Sequence, residues 1–124
     1  MIELKSLYKS FDDKDVLIDI NARFENGKTN LIIGQSGSGK TVLMKICIGL
    51  FEPDQGNITF DNRQFSNTKE KFKSDIRKEM GVLFQGGALF DSMNVEDNVM
   101  FPLNMFTDQS YEEKLERVNF CLNR

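Results

Sequence analysis

The sequence predicts an α/β fold: an antiparallel β-subdomain at the N-terminus, then a buried strand that leads through a glycine-rich loop into a helix. Three observations carry this. Residues 2–9 and 16–24 alternate apolar and polar side chains, the period of a half-buried strand. Leu31-Ile32-Ile33 is a continuous apolar run that opens directly onto glycines. From Lys40 to Leu50 the apolar residues fall at helical spacing. With 124 residues, 40% hydrophobic and 28% charged, the chain has the composition of one globular domain with a modest core.

Taken in order, Ile2 and Leu4, then Leu7 after a slip, mark a first strand. Val16, Ile18, Ile20, Ala22 and Phe24 mark a second, and Asp12-Asp13-Lys14 is the polar turn between them. Glu25-Asn26-Gly27-Lys28 is a further turn before the apolar run Leu31–Ile33. The following helix uses Leu43, Ile46, Cys47 and Leu50 as its apolar face, and Pro53-Asp54-Gln55-Gly56 stops it. Residues 57–60 form a short strand closed by an Asp61-Asn62 turn, where short polar side chains tolerate a left-handed backbone.

Residues 68–79 read as a charged helix. Its Lys69, Lys71, Lys73, Arg77 and Lys78 are interspersed with Glu70, Asp75 and Glu79, as on a solvated face. Met80 to Phe84 is a strand that Gln85-Gly86-Gly87 breaks. Residues 94–106 form a helix interrupted at Pro102. A last helix over 110–124 begins with the capping box Ser110 to Glu113, is expected to run to Arg124, and shows Tyr111, Leu115, Val118 and Leu122 on one face.

Composition removes several function classes. Sixteen Lys plus Arg against nineteen Asp plus Glu leave a formal charge of −3, which gives no support to nucleic-acid binding. The absence of histidine excludes His-ligated metal sites, His general bases and Ser/His/Asp or Cys/His arrangements. Cys47 and Cys121 match neither a disulfide framework nor a CxxC site and read as reduced packing residues. The N-terminus lacks the pattern of a signal peptide, and no apolar run approaches the roughly 20 residues that cross a bilayer, so a cytosolic chain is expected.

Gly34-Gln35-Ser36-Gly37-Ser38-Gly39-Lys40-Thr41 fits G-x-x-x-x-G-K-[ST], the phosphate-binding loop. Glycines let successive backbone N–H groups converge on phosphate oxygens, and the helix behind them presents its positive end to the same anion. Lys40 supplies an ammonium to the terminal phosphates, and the Thr41 hydroxyl is a ligand for Mg²⁺. Phe11, near the end of the first strand, can stack on a nucleotide base; taken alone, such a residue is more often a core or hairpin aromatic. Gln85 ends an apolar strand where its carbonyl oxygen can reach Mg²⁺ or an attacking water; beside two glycines it is otherwise an ordinary turn residue.

Together these segments resemble the ATP-binding subunits of ABC transporters. Leu7-Tyr8-Lys9-Ser10-Phe11 is similar to the aromatic loop, with Phe11 in the base-stacking place. Gly34–Thr41 is similar to Walker A, residues 48–56 to the stretch after its helix, and Gln85 to the Q-loop glutamine. Residues 80–99, Met-Gly-Val-Leu-Phe-Gln-Gly-Gly-Ala-Leu-Phe-Asp-Ser-Met-Asn-Val-Glu-Asp-Asn-Val, most resemble the Mla/Mce-type phospholipid transport ATPases. The resemblance implies a P-loop NTPase with a RecA-like ABC ATPase core, incomplete at the C-terminus. Residues 1–124 would then hold the β-subdomain, Walker A, the Q-loop and, from about residue 88, the start of the helical subdomain.

It also implies ATP and Mg²⁺ as cofactors, with Gln85 in a catalytic role, and partners in a transmembrane permease subunit and a second ATP-binding subunit. The expected location is the cytoplasm, peripheral on the inner face of the cell membrane through the permease. Ala88, Leu89, Phe90, Met93, Val95, Phe101 and Leu103 would add apolar surface to the groove for the permease, or simply pack the small subdomain.

Four parts of a complete ATPase of that family do not occur in residues 1–124: the LSGGQ signature, a Walker B strand ending in Asp-Glu, the D-loop and the switch histidine. Ala88-Leu89-Phe90-Asp91 is no Walker B, because it begins three residues after Gln85 and leaves no room for a crossover helix. These residues alone are therefore expected to bind nucleotide with little or no turnover. Two functions fit: the N-terminal portion of a transporter ATPase, or a non-catalytic nucleotide-binding or interaction module that docks on a membrane subunit. A small-molecule kinase or GTPase would keep Lys40 and Thr41 but has no need of the leading hairpin or the Gln85 segment.

Overall fold

A computed structural model describes residues 1–124 and divides them into two compact units, Met1–Gly81 and Val82–Arg124. In the first unit the alternating segments form the expected hairpin, β1 (Ile2–Phe11) and β2 (Lys14–Phe24). Its turn residues Asp12 and Asp13 have φ of 45° and 62°, the left-handed pair whose twist matches that of the strands. β3 (Gln55–Phe60) pairs with the other edge of β1. The Asp61-Asn62 turn, with φ of 46° and 62°, then returns the chain into β4 (Arg63–Gln64), a short strand that the sequence pattern does not announce. The sheet order is β2-β1-β3-β4, antiparallel throughout.

The slip at Leu7 is a β-bulge. The register shifts between Leu4 and Leu7, where Ser6 has a φ of 46° and its amide donates to Asn21 Oδ1 at 2.8 Å. A second shift follows in β2 around Asp19, which has a φ of 48°. The expected clean alternation therefore fails at the start of β2: Leu17 is buried, whereas Ile18 is 61% exposed. A bulge inserts one residue and moves every side chain before it to the opposite face.

Leu4, Leu7, Leu17, Ile58 and Phe65 join Leu43, Ile46 and Cys47 of α1 (Lys40–Cys47) and Ile76 of α2 (Glu70–Arg77) in one apolar cluster. Burying each of the larger side chains stabilises the fold by roughly 1.5–3 kcal/mol. α1 stops before residue 50 because Gly49 takes a φ of 73°, and the Gly49 and Leu50 amides turn back to the carbonyls of Ile46 and Lys45 at 3.0 and 2.8 Å. Leu50, expected on the apolar face, is consequently exposed.

Lys69, Glu70, Lys71, Asp75, Lys78 and Glu79 are exposed, as the charges of α2 suggest, but Lys73 and Arg77 are not part of a solvated face. Lys73 is buried, with its ammonium on the Glu52 carboxylate, and Arg77 donates to the Gly49 carbonyl at 2.8 Å while pairing with Glu70. Phe72 meanwhile faces out, 57% exposed. The long cationic stems pack like hydrocarbon while their heads reach acceptors in the connection between α1 and β3.

Neither apolar run expected to form a core strand does so. Leu31–Ile33 and Met80–Phe84 are irregular, and Leu31, Ile33 and Leu83 are more than 80% exposed. A strand is completed by hydrogen-bonded neighbours, and no segment of these 124 residues pairs with either run.

In the second unit, α3 (Val95–Phe106) is capped by Asn94, whose side chain accepts from the Asp97 amide at 2.8 Å. The helix continues through Pro102, where an interruption was expected; the ring costs one backbone bond without ending the helix. α4 (Tyr111–Leu122) has both bonds of its predicted capping box. It ends at Leu122 instead of running to Arg124, with Asn123 as the C-cap. Of its expected apolar face only Val118 is fully buried; Tyr111 and Leu122 are exposed, and the Tyr111 hydroxyl donates to Glu96 at 3.0 Å.

Asn98 organises the segment before α3. Its Oδ1 accepts from the Phe90 amide at 2.8 Å, and its Nδ2 donates to the carbonyls of Phe90, Met93 and Asn94 at 2.9–3.1 Å. Cys47 is buried as expected, but Cys121 is an exposed free thiol rather than a packing residue. No helix is long and apolar enough to cross a membrane.

The close approach of β3 to the bulge gives a direct test. Gly56 has a φ of 92°, and a Cβ there would lie 2.2 Å from the Ser6 carbonyl oxygen. Gly56→Ala is expected to destabilise the first unit by at least about 1–3 kcal/mol, read as a lower urea midpoint. Gly27→Ala, which would meet nothing within 4 Å, should cost less, despite its φ of 69°.

Candidate functional site

The glycine-rich loop hangs from the N-terminus of α1. Gly39 takes a φ of 91° and caps the helix without any side-chain hydrogen bond, so its first-turn N–H groups are not spent on a cap. Gly39 is also wedged against β2: a Cβ there would meet Leu17 Cδ2 and the Val16 carbonyl at 3.0 Å. Gly37 has a φ of 77°, the Ser38 amide donates to the Gln35 carbonyl at 3.2 Å, and a Cβ on Gly34 would stand 2.8 Å from Ser38 Oγ. The loop is thus a tight curl that larger residues at 34 or 39 would fill.

Lys40 closes the curl. Its ammonium donates to the carbonyls of Gly34 and Gln35 at 2.8 and 2.6 Å, which holds a positive charge across the loop. Residues 34–38 and Thr41 are exposed and Lys40 is half-buried, so a glycine-rich backbone, a cation and a hydroxyl lie in one accessible stretch of chain. This is the arrangement an anion with several oxygens requires.

Phe11 ends β1 in the same unit and is 39% exposed. Its ring meets Phe51 edge-on, with centroids 5.6 Å apart and planes at 63°, and the Lys9 ammonium lies 5.3 Å from its centroid. Lys9 is in turn held by Asp54 at 2.6 Å, and the other oxygen of that carboxylate accepts from the Ser10 amide at 2.7 Å. The Lys9 hydrogen bond first, then the Ser10 amide, hold the Asp54 carboxyl below the usual carboxylate range. Phe51 and Asp54 lie in the stretch after the helix, where the sequence pattern shows only a stop signal.

Gln85 belongs to the second unit, exposed in a turn where the Gly87 amide donates to the Phe84 carbonyl at 2.9 Å. Nowhere do three or more His, Cys, Asp or Glu side chains gather as a metal site. The Thr41 hydroxyl and the Gln85 amide oxygen are neutral oxygen donors, of the kind a hard cation accepts alongside phosphate oxygens and water.

A protein-family model described as "ABC transporter" matches residues 17–124. The chain is 40% identical over 112 residues to the "Probable ribonucleotide transport ATP-binding protein mkl" of Mycobacterium leprae, covering 90% of this chain and 32% of that protein. It is 38% identical over 107 residues to the "Intermembrane phospholipid transport system ATP-binding protein MlaF" of Haemophilus influenzae, covering 86% of this chain and 40% of that one. Among solved structures it resembles MJ0796, described as a dimeric bacterial ABC transporter cassette, with a TM-score of 0.88 at 28% identity over 99% of this chain and 56% of that chain. The chain therefore spans a third to a half or so of the length of these relatives.

The Asp54 clasp sets a pH dependence at the end of β1. A carboxyl lowered in the folded state stabilises above its unfolded value, and that contribution is lost as pH falls through the folded value. Exchange protection of the Ser10 amide is therefore expected to hold at neutral pH and drop in acid below the usual carboxylate range. In Asp54→Asn the same amide should lose this pH dependence.

Proposed function

Because the chain belongs to the ABC transporter family, we propose that it is the nucleotide-binding portion of a transporter ATP-binding subunit and holds ATP with Mg²⁺. The observation that supports this best is the curl of residues 34–41, with the Lys40 ammonium spanning it and Gly39 seated on β2. Loop N–H groups would hold phosphate oxygens, and the Lys40 ammonium, which here donates to two loop carbonyls, would hold the terminal phosphates. The Thr41 hydroxyl would hold Mg²⁺ and the exposed part of the Phe11 ring would stack on the base; Gln85, in the second unit, would offer an amide oxygen as a metal ligand. The nucleotide supplies the phosphoryl bond whose cleavage drives transport. What residues 1–124 contribute is grip and orientation, since the signature, Walker B pair and switch histidine do not occur among them.

The second unit, Val82–Arg124, reads as the Q-loop followed by the start of the helical subdomain. The whole protein would act as a dimer of ATP-binding subunits on a transmembrane permease, at the cytoplasmic face of the membrane. Phospholipid is the substrate we favour, on the strength of residues 80–99 and the phospholipid-transport relative; a relative named for ribonucleotide transport is similar to the same degree.

Lys40→Ala is expected to lower ATP affinity at least about tenfold. A charge-assisted hydrogen bond contributes roughly 1.5–3 kcal/mol, and 1.4 kcal/mol is a factor of ten. A binding titration in which the variant keeps wild-type affinity would overturn the site assignment.

A further inference from the structure

Phe51 has no part in phosphate binding, yet the structure ties it to both ends of the site. Its amide and that of Leu50 donate to the Lys45 carbonyl at 3.3 and 2.8 Å, and the Lys45 ammonium lies 5.2 Å from the centre of its ring. Phe51 thus hangs from the last turn of α1, the helix whose first residue is Lys40. One part of its ring packs against the buried apolar cluster, and it also meets Phe11 in an edge contact. Phe11 is the last residue of β1, beside the hairpin turn, and is 39% exposed. Edge-to-face packing is directional, and a T-shaped partner selects one ring orientation.

We propose that Phe51 is a positioning residue for the nucleotide base: it holds the Phe11 ring in its stacking pose and sets the stacking surface relative to the phosphate loop through α1. The proposal rests on the reading of residues 34–41 and Phe11 as a nucleotide site. The base-dependent share of affinity then depends on two rings rather than one, and the share due to the phosphates does not. Lys9, clamped by Asp54 over the Phe11 ring, adds a cation on the same aromatic without replacing the edge contact.

The test measures dissociation constants for ATP and for inorganic tripolyphosphate in the full chain and divides the tripolyphosphate constant by the ATP constant, a ratio that isolates what the nucleoside adds. Phe11→Ala should reduce that ratio roughly tenfold or more, as expected from loss of one stacking surface. Phe51→Leu, which keeps apolar volume against the core, should reduce it about threefold to tenfold, and Phe51→Tyr, which keeps the ring edge, should restore it. The double variant Phe11→Ala/Phe51→Leu should match Phe11→Ala alone, because the second ring acts through the first. Phe51→Leu with a wild-type ratio beside a lowered Phe11→Ala overturns the positioning role and leaves the nucleotide site standing. Additive losses in the double variant overturn it as well. A wild-type ratio in Phe11→Ala removes the stacking assignment itself, and the proposal with it.

Discussion

The contact on which the site depends is the seating of Gly39 against the backbone and side chains of Val16 and Leu17. Among residues 1–124 the apolar run that enters the glycine-rich loop has no hydrogen-bonded neighbour, and no sheet formed by these residues holds the loop from its N-terminal side. It is held from its exit, where α1 buries Leu43, Ile46 and Cys47 in the cluster beneath the antiparallel sheet. The hairpin is therefore more than a leading appendage. Its second strand fixes the helix end that carries the loop, and its first strand ends at Phe11, the aromatic proposed to stack on the base.

The bulge is part of this arrangement. The shift around Asp19 turns Leu17 inward and Ile18 outward, and Leu17 is one of the two residues that Gly39 meets. An uninterrupted β2 of the kind its alternation suggests would bury Ile18 instead and present a different surface to the loop. The left-handed residues Ser6 and Asp19 and the tight approach of Gly56 are thus backbone costs that accompany the register found beneath the glycine-rich loop.

Much of this was legible in the sequence. Period-two alternation marked the hairpin, helical spacing marked α1, and the glycine pattern marked the loop, because each is a local signal read over consecutive residues. What was not legible depends on partners distant in the chain. Leu31–Ile33 and Met80–Phe84 have the composition of buried strands, but composition does not supply a neighbour. Lys73 has the chemistry of a surface residue until Glu52, 21 positions earlier, provides its counter-charge. Asn98 resembles any helix asparagine, and its four bonds to residues 90–94 appear only once that segment folds back over it. In the candidate site, the glycine pattern of the loop was readable, whereas the contact of Phe51 with Phe11 and the hold of Asp54 on Lys9 and Ser10 were not, since they join residues some 40 positions apart.

The two cysteines differ in a way that makes the molecule experimentally convenient. Burial pushes the Cys47 thiol up to about 11, so at neutral pH it offers almost no thiolate and little access. Cys121 stands exposed near the end of α4. A maleimide fluorophore will therefore label one position of the native fold without mutagenesis, and that position lies in the second unit. Its emission becomes a private reporter of that unit, while any later reaction at Cys47 registers the opening of the first unit's core.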